Sequence, residues 1–318
     1  MNLVLETRSS FQRFRKAACV AVITGALLSL AAFAATPALP ADDTQLTVKV
    51  GDQTRACLVH VPPAHGGARL LPLVIVLHGS GGTGENMAKM TGFSAMGDKH
   101  GFITAFPDGI LAKHNWNSLF GNIPGGEGIL ADDVDDVAFI RALIDTLGKS
   151  HHIDPNRVFV CGHSAGAYMT YRLAVDLADR IAAAGIVNGS LGIKSADGKP
   201  CQADIPKPLA PISIIQISCK KDNVVKFAGG QAPKNLYKSA PDCIQFFVQA
   251  DGCATPGKET RDAQHGVART LYSKGKGGTE VELVIVENCN HSWPFPAVGL
   301  SATQELWDFF SKHPKAAR

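Results

Sequence analysis

Set aside its first 34 residues, and this chain has no surplus of charge of either sign. Those residues carry four of the 31 basic and one of the 28 acidic side chains, leaving 27 of each. A neutral chain without basic runs offers no electrostatic footprint for a nucleic acid or an anionic membrane surface. The sequence also lacks a second long apolar run, an internal repeat and a low-complexity linker. These absences exclude a multi-span membrane protein and a solenoid, and favour one domain. No EF-hand spacing accompanies the acidic stretch Asp132-Asp133-Val134-Asp135-Asp136, which reads as helix capping in preference to a calcium site, so no metal is expected.

The leader has a basic stretch (Arg8, Arg13, Arg15, Lys16), an apolar run from Ala17 to Ala34, and a small-residue site, Ala32-Phe33-Ala34. That order is a secretory signal peptide, residues 1–34. An uncleaved anchor is the alternative, because the run approaches the length that spans a bilayer. The Ala-x-Ala site and the following Thr36-Pro37-Ala38-Leu39-Pro40 favour cleavage. Residues 35–318 are then expected to form a single domain, secreted or periplasmic, with no stable membrane insertion. Seven cysteines follow the leader (Cys57, Cys161, Cys201, Cys219, Cys243, Cys253, Cys289), an odd number compatible with an oxidising compartment. Cys161, inside an apolar run, is the expected buried free thiol. Cys243 and Cys253 flank one helical pattern and form a candidate pair, with the connectivity otherwise open.

Short runs rich in β-branched residues alternate with helical patterns, the signature of βαβ units and a largely parallel sheet. Strands are expected at 55–61, 71–77, 103–106, 158–161, 184–187, 211–219 and 281–287, the first as an antiparallel edge. Helices are expected at 133–147, where Val137, Ile140, Leu143 and Ile144 share a face, at 165–177, and at 303–310. The fold class is therefore α/β, with a mostly parallel central sheet and helices on both faces.

Gly162-His163-Ser164-Ala165-Gly166 falls between the strand 158–161 and the helix that begins at Ala165. The five-residue pattern alone is weak; a strand before it and a helix after it place Ser164 on a sharp turn with its Oγ exposed at the carboxyl edge of the sheet. A serine hydroxyl needs a base to take its proton and an acid to orient that base. Such a turn marks the α/β-hydrolase fold, in which the chain order is Ser, then Asp or Glu, then His, the last two after later strands. Asp222 follows the strand 211–219 and His291 follows 281–287, so Ser164, Asp222 and His291 are the candidate catalytic residues. The main rival base, His265, sits in a polar segment with no strand expected before it.

Acyl transfer also needs two backbone donors for the developing oxyanion. Ala165 N–H is one. The loop His78-Gly79-Ser80-Gly81-Gly82 after strand 71–77 offers the other, with Ser80 N–H preferred and Gly81 second. That loop lacks the Gly-Lys-Ser/Thr ending of a phosphate-binding loop, and no dinucleotide or triphosphate cofactor is expected. Trp116 and Trp293 are candidate substrate-stacking residues, core packing being the alternative for each. Tyr168 and Met169 are expected to face the interior.

Taken together, Leu77-His78-Gly79-Ser80-Gly81-Gly82, Phe106-Pro107-Asp108-Gly109, Val134-Asp135-Asp136-Val137, Val158 to Met169 and His291-Ser292-Trp293-Pro294 resemble the secreted poly(3-hydroxybutyrate) depolymerase and feruloyl esterase family. The resemblance covers nearly all of the chain after the leader. It implies a single-domain α/β-hydrolase with a Ser-Asp-His triad, no metal and no organic cofactor, acting on esters of plant cell-wall polysaccharide or on polyester. Two stretches depart from the family: Ser218-Cys219-Lys220-Lys221-Asp222 stands where His-Gly-x-x-Asp is common, and Glu287-Asn288-Cys289-Asn290 replaces a glycine-rich approach to the histidine. Lys220 and Lys221 read either as attractors of an anionic substrate or as solvated turn residues.

The resulting expectation is a serine esterase on feruloyl or acetyl esters of polysaccharide, with an extracellular polyhydroxybutyrate depolymerase as the alternative. A peptidase of the same fold is unsupported, since no propeller or other gating domain precedes the expected catalytic unit. A non-catalytic secreted binding protein of this fold is disfavoured by the complete candidate triad.

Overall fold

The structure, a computed structural model, describes residues 43–63, 69–111, 114–118, 134–193, 205–232 and 235–315. The expected signal segment, Cys201, Asp132 and Asp133 lie outside them. In chain order the strands and helices are β1 (Asp43–Val50), β2 (Gln53–His60), β3 (Leu71–Leu77), α1 (Gly84–Thr91), α2 (Phe93–His100), β4 (Ile103–Pro107), α3 (Asp136–Ser150), β5 (Ile153–His163), α4 (Ala165–Asp176), β6 (Ala183–Val187), β7 (Gly192–Ile193), β8 (Ser213–Cys219), β9 (Gly230–Ala232), β10 (Asn235–Tyr237), α5 (Ala240–Asp251), β11 (Lys258–Asp262), β12 (Val267–Tyr272), β13 (Val281–Val286) and α6 (Ala302–Lys312).

One sheet runs β1-β2-β4-β3-β5-β6-β8-β13-β12-β11. Its centre, from β4 to β13, is parallel. The flanks β1–β2–β4 and β13–β12–β11 are antiparallel. The alternation of side chains explains why β3 is apolar at every position. On β3, Leu73, Ile75 and Leu77 join one core layer with α3, α4 and α5, while Val74 and Val76 join the other with α1, α2 and α6. β5 divides the same way, Val158 and Val160 to one side, Phe159 and Cys161 to the other. Tyr168 and Met169 are buried on α4.

Three expectations need correction. The strand near residue 55 pairs with β4 but is not the edge, because β1 lies outside it. A strand, β11, does precede His265; all five of its residues are exposed, so it has no apolar pattern to be read by. Cys243 and Cys253 are both unpaired. Cys243 lies in the first turn of α5 and Cys253 two residues past its end; the eight helical steps from Cys243 to Asp251 alone rise about 12 Å, beyond the roughly 7 Å that a disulfide can bridge. The disulfide of the described residues joins Cys219 to Cys289 with Cα atoms 5.0 Å apart, while Cys161 is buried and free. Among these residues no helix is long and apolar enough to cross a membrane.

Candidate active site

The turn at Ser164 is dictated by crowding. A Cβ on Gly162 would lie 2.4 Å from the Gly166 backbone, and a Cβ on Gly166 would lie 2.3 Å from the Leu77 carbonyl oxygen. Only glycine fits at either place. Ser164, between them, is held at φ +55° and ψ −116°, a strained conformation of the kind that persists only where its surroundings over-determine it. Its N–H donates to the Val187 carbonyl at the end of β6, and α4 starts at the next residue. Ala165 N–H lies in the first turn of α4, where an amide has no partner within the helix.

Ser164, Asp222 and His291 come together from the ends of three strands. Ser164 Oγ is 2.8 Å from His291 Nε2, and His291 Nδ1 is 2.7 Å from Asp222 Oδ2. With the carboxylate accepting, Nδ1 carries the proton and Nε2 is free to take the hydroxyl's. Asp222 is fixed in turn, since its Oδ1 accepts the N–H groups of Val224 and Val225 at 2.8 Å each. The rival His265 pairs with Asp262 on the exposed hairpin of β11 and β12.

The glycine loop after β3 lies against Ser164: a Cβ on Gly79 would sit 3.3 Å from Ser164 Cβ. His78 governs it. Its Nε2 accepts the Gly109 N–H at 2.9 Å, so its proton is on Nδ1, which donates to the Gly79 carbonyl at 2.8 Å. Gly82 N–H also donates to that carbonyl. Because the peptide is planar and trans, the Ser80 N–H points to the opposite side. Burial holds the His78 pKa below the usual histidine value, in keeping with the neutral ring that these partners require. Gly79-Ser80-Gly81-Gly82-Thr83-Gly84 does carry Gly-x-Gly-x-x-Gly spacing, yet Asp108 Oδ1 accepts the Gly84 N–H at 2.6 Å. A carboxylate thus already occupies the helix N-terminus where a pyrophosphate would bind.

The two tryptophans are supports, not substrate platforms. Trp116 is 4% exposed, donates its indole N–H to the His78 carbonyl at 2.8 Å and packs on the His78 ring. Trp293 is 1% exposed, donates to Thr303 Oγ1 at 3.0 Å and meets Phe93 edge-on. Both indoles have met their hydrogen bond inside the protein, and neither presents a face to a ligand. Lys220 lies over the Phe227 ring and Lys221 donates to Asn288 Oδ1, so both have local partners. Among the described residues, the exposed apolar side chains at this edge of the sheet are instead Ile110, Val224 and Phe295, on the loops after β4, β8 and β13.

Sequence reasoning passed over several supports. His163 stacks against His291 with ring centroids 5.0 Å apart, and its Nε2 is buried. Burial first, and the neighbouring His291 second, push its pKa down to about 3, so the ring stays neutral beside the base. Asp136, read only as part of a capping cluster, forms a fully buried ion pair with Arg55 at 2.6 Å and accepts the Asn117 N–H at 2.7 Å. Asp135 is the capping residue, accepting from Ala138 N–H. The run of four acids around Val134 hid that division of labour.

Known proteins share this plan. The model of a family described as esterase PHB depolymerase matches residues 56–198. A putative esterase, NocK, of Nocardia uniformis subsp. tsuyamanensis is 28% identical over 278 residues, covering 81% of this chain and 76% of that one. A probable feruloyl esterase C of Aspergillus clavatus is 25% identical over 260 residues, 80% of this chain and 83% of its own. Among solved structures, an acetyl xylan esterase from Aspergillus awamori superposes with a TM-score of 0.59 at 14% identity, over 85% of this chain and 99% of that one, which shows the shared fold. The chain is an ester hydrolase of the α/β-hydrolase type, and its residues 56–198 match the model of the esterase PHB depolymerase family.

Proposed function

We propose that this protein is a secreted serine carboxylic-ester hydrolase working through an acyl-enzyme on Ser164. The observation that carries the reading is the unbroken hydrogen-bond line from Ser164 Oγ through His291 to Asp222. His291 Nε2 takes the hydroxyl proton as Ser164 attacks the ester carbonyl. Asp222 keeps the imidazole in the receptive tautomer and offsets the charge it gains. Ala165 N–H and Ser80 N–H receive the oxyanion. His291 then returns the proton to the leaving alcohol, and water, activated by the same imidazole, releases the acid. No metal or organic cofactor enters any step.

For the substrate, we favour feruloyl or acetyl esters of plant cell-wall polysaccharide. Similarity to a probable feruloyl esterase over four-fifths of both chains supports this choice, and the exposed Phe295, Val224 and Ile110 offer apolar contact to an acyl group. A polyhydroxybutyrate depolymerase is the second reading, favoured by the family match over residues 56–198. Release measured with one enzyme preparation from methyl ferulate, acetylated xylan, short nitrophenyl esters and polyhydroxybutyrate film separates them. Turnover of methyl ferulate or acetylated xylan without loss of film is expected. Film clearing with negligible release from the first two would overturn the polysaccharide reading in favour of the polyester.

A further inference from the structure

The proposed triad draws its members from strands that are not all neighbours. Along the sheet the order is β5, β6, β8, β13, with Ser164 after the first, Asp222 after the third and His291 after the fourth. Three inter-strand steps of about 4.8 Å place the outer two strands about 14 Å apart. Hydrogen bonds of 2.7 and 2.8 Å therefore require the three loops to be held in register by something lying between them. The end of β6 is that place, and Asn188 stands there.

We propose that Asn188 is a positioning residue for the esterase reaction, fixing the nucleophile, acid and base segments relative to one another; the inference rests on the triad reading above. Asn188 is 2% exposed and has φ +52°, a region that asparagine enters more readily than most residues. Its own N–H donates to the Ile217 carbonyl on β8 at 3.0 Å. Its side-chain Oδ1 accepts the N–H of Cys219, three residues before Asp222, at 2.9 Å. Its Nδ2 donates to the carbonyl of Ser292, the residue after His291, at 2.7 Å. The carbonyl of Val187, one residue back, takes the Ser164 N–H at 3.1 Å. One amide, oriented by a donor on one side and an acceptor on the other, thus touches the acid loop and the base loop, and its backbone neighbour holds the nucleophile.

The disulfide does only part of this. Cys219–Cys289 ties the acid loop to the base loop, but neither cysteine bonds to the Ser164 turn. Asparagine is also the residue the position demands. Aspartate keeps the acceptor for Cys219 N–H but sets an oxygen against the Ser292 carbonyl, and alanine loses both bonds.

The test compares Asn188→Asp and Asn188→Ala with the wild type in kcat and KM on a short nitrophenyl ester, in the pH profile of kcat/KM, and in thermal unfolding. We expect kcat to fall about tenfold to a hundredfold in both at temperatures where they remain folded, as for other small misplacements of reacting groups, with KM little changed. The Asp variant should also move the acidic limb of its profile to higher pH, because a new carboxylate near His291 favours the imidazolium. Folded variants with kcat within about twofold of wild type would overturn the inference, since that is far below a positioning effect. The double variant Cys219→Ala with Cys289→Ala guards against variants that do not fold. With Asn188 intact it should stay active to within about tenfold, whereas a folded but inactive double variant would show that the disulfide, not Asn188, keeps the register. Ser164→Ala, assayed alongside, distinguishes the failures: surviving activity there removes the triad reading itself, while its loss with unaffected Asn188 variants removes only this inference.

Discussion

The two halves of the site are built by different means. The half around Ser164 is made by exclusion: Gly162 and Gly166 are glycines because backbone fills the space where a side chain would go, and Gly79 lies tight against Ser164. The acid and base half is made by attachment: Asp222 is held by two backbone amides, its loop by a disulfide, and both loops by the Asn188 amide. Crowding leaves a mark in consecutive residues. Attachment draws on residues up to about a hundred positions apart, such as Asn188 and Ser292.

Three predictions probe that contrast, the largest effect first. Asp222→Asn keeps the shape of the attachment half but lets His291 settle in the wrong tautomer, so kcat should fall on the order of 10⁴-fold, as it does in other triads. Steady-state kinetics on a nitrophenyl ester checks it, and a loss below about tenfold would mean that Asp222 only shapes its loop. Gly166→Ala attacks the exclusion half. Its Cβ would meet the Leu77 carbonyl at 2.3 Å, so unfolding in denaturant should reveal a loss of about 3 kcal/mol or more, since packed backbone cannot move aside cheaply. A variant as stable as the wild type would show that the turn has room to relax.

The third prediction concerns His163, where the halves meet. The folded protein holds this ring neutral down to about pH 3, whereas the unfolded chain protonates it near its ordinary 6.5. Its contribution to stability is therefore complete above about 6.5 and is lost as the pH falls from there toward 3. His163→Gln should flatten the loss of stability across that window, measured by urea unfolding at several pH values. An unchanged slope would mean that the ring takes its proton without unfolding.

The same contrast explains what was legible in the sequence. The central strands could be read because burial on both faces makes them continuously apolar, and Ser164 because strand, glycines and helix adjoin. β1 and β11 could not, since an exposed strand follows its partner and not an apolar pattern. Asp222 and His291 were found from chain order, but their distances come only from the closed sheet. The tryptophans misled for a related reason: proximity in sequence to Asn117 or His291 says nothing about whether an indole faces inward. His78 was visible as part of a glycine loop, whereas its tautomer depends on the Gly109 amide, 31 residues away.

The central claim is that Ser164 is an activated nucleophile served by His291. A serine-directed phosphonate, added in slight excess and followed by peptide mass analysis, tests it most directly. The account predicts one adduct per chain, on the peptide containing Ser164, forming in step with loss of esterase activity and absent from the His291→Ala variant over the same period. An adduct on another serine, or no adduct while activity persists, would contradict it.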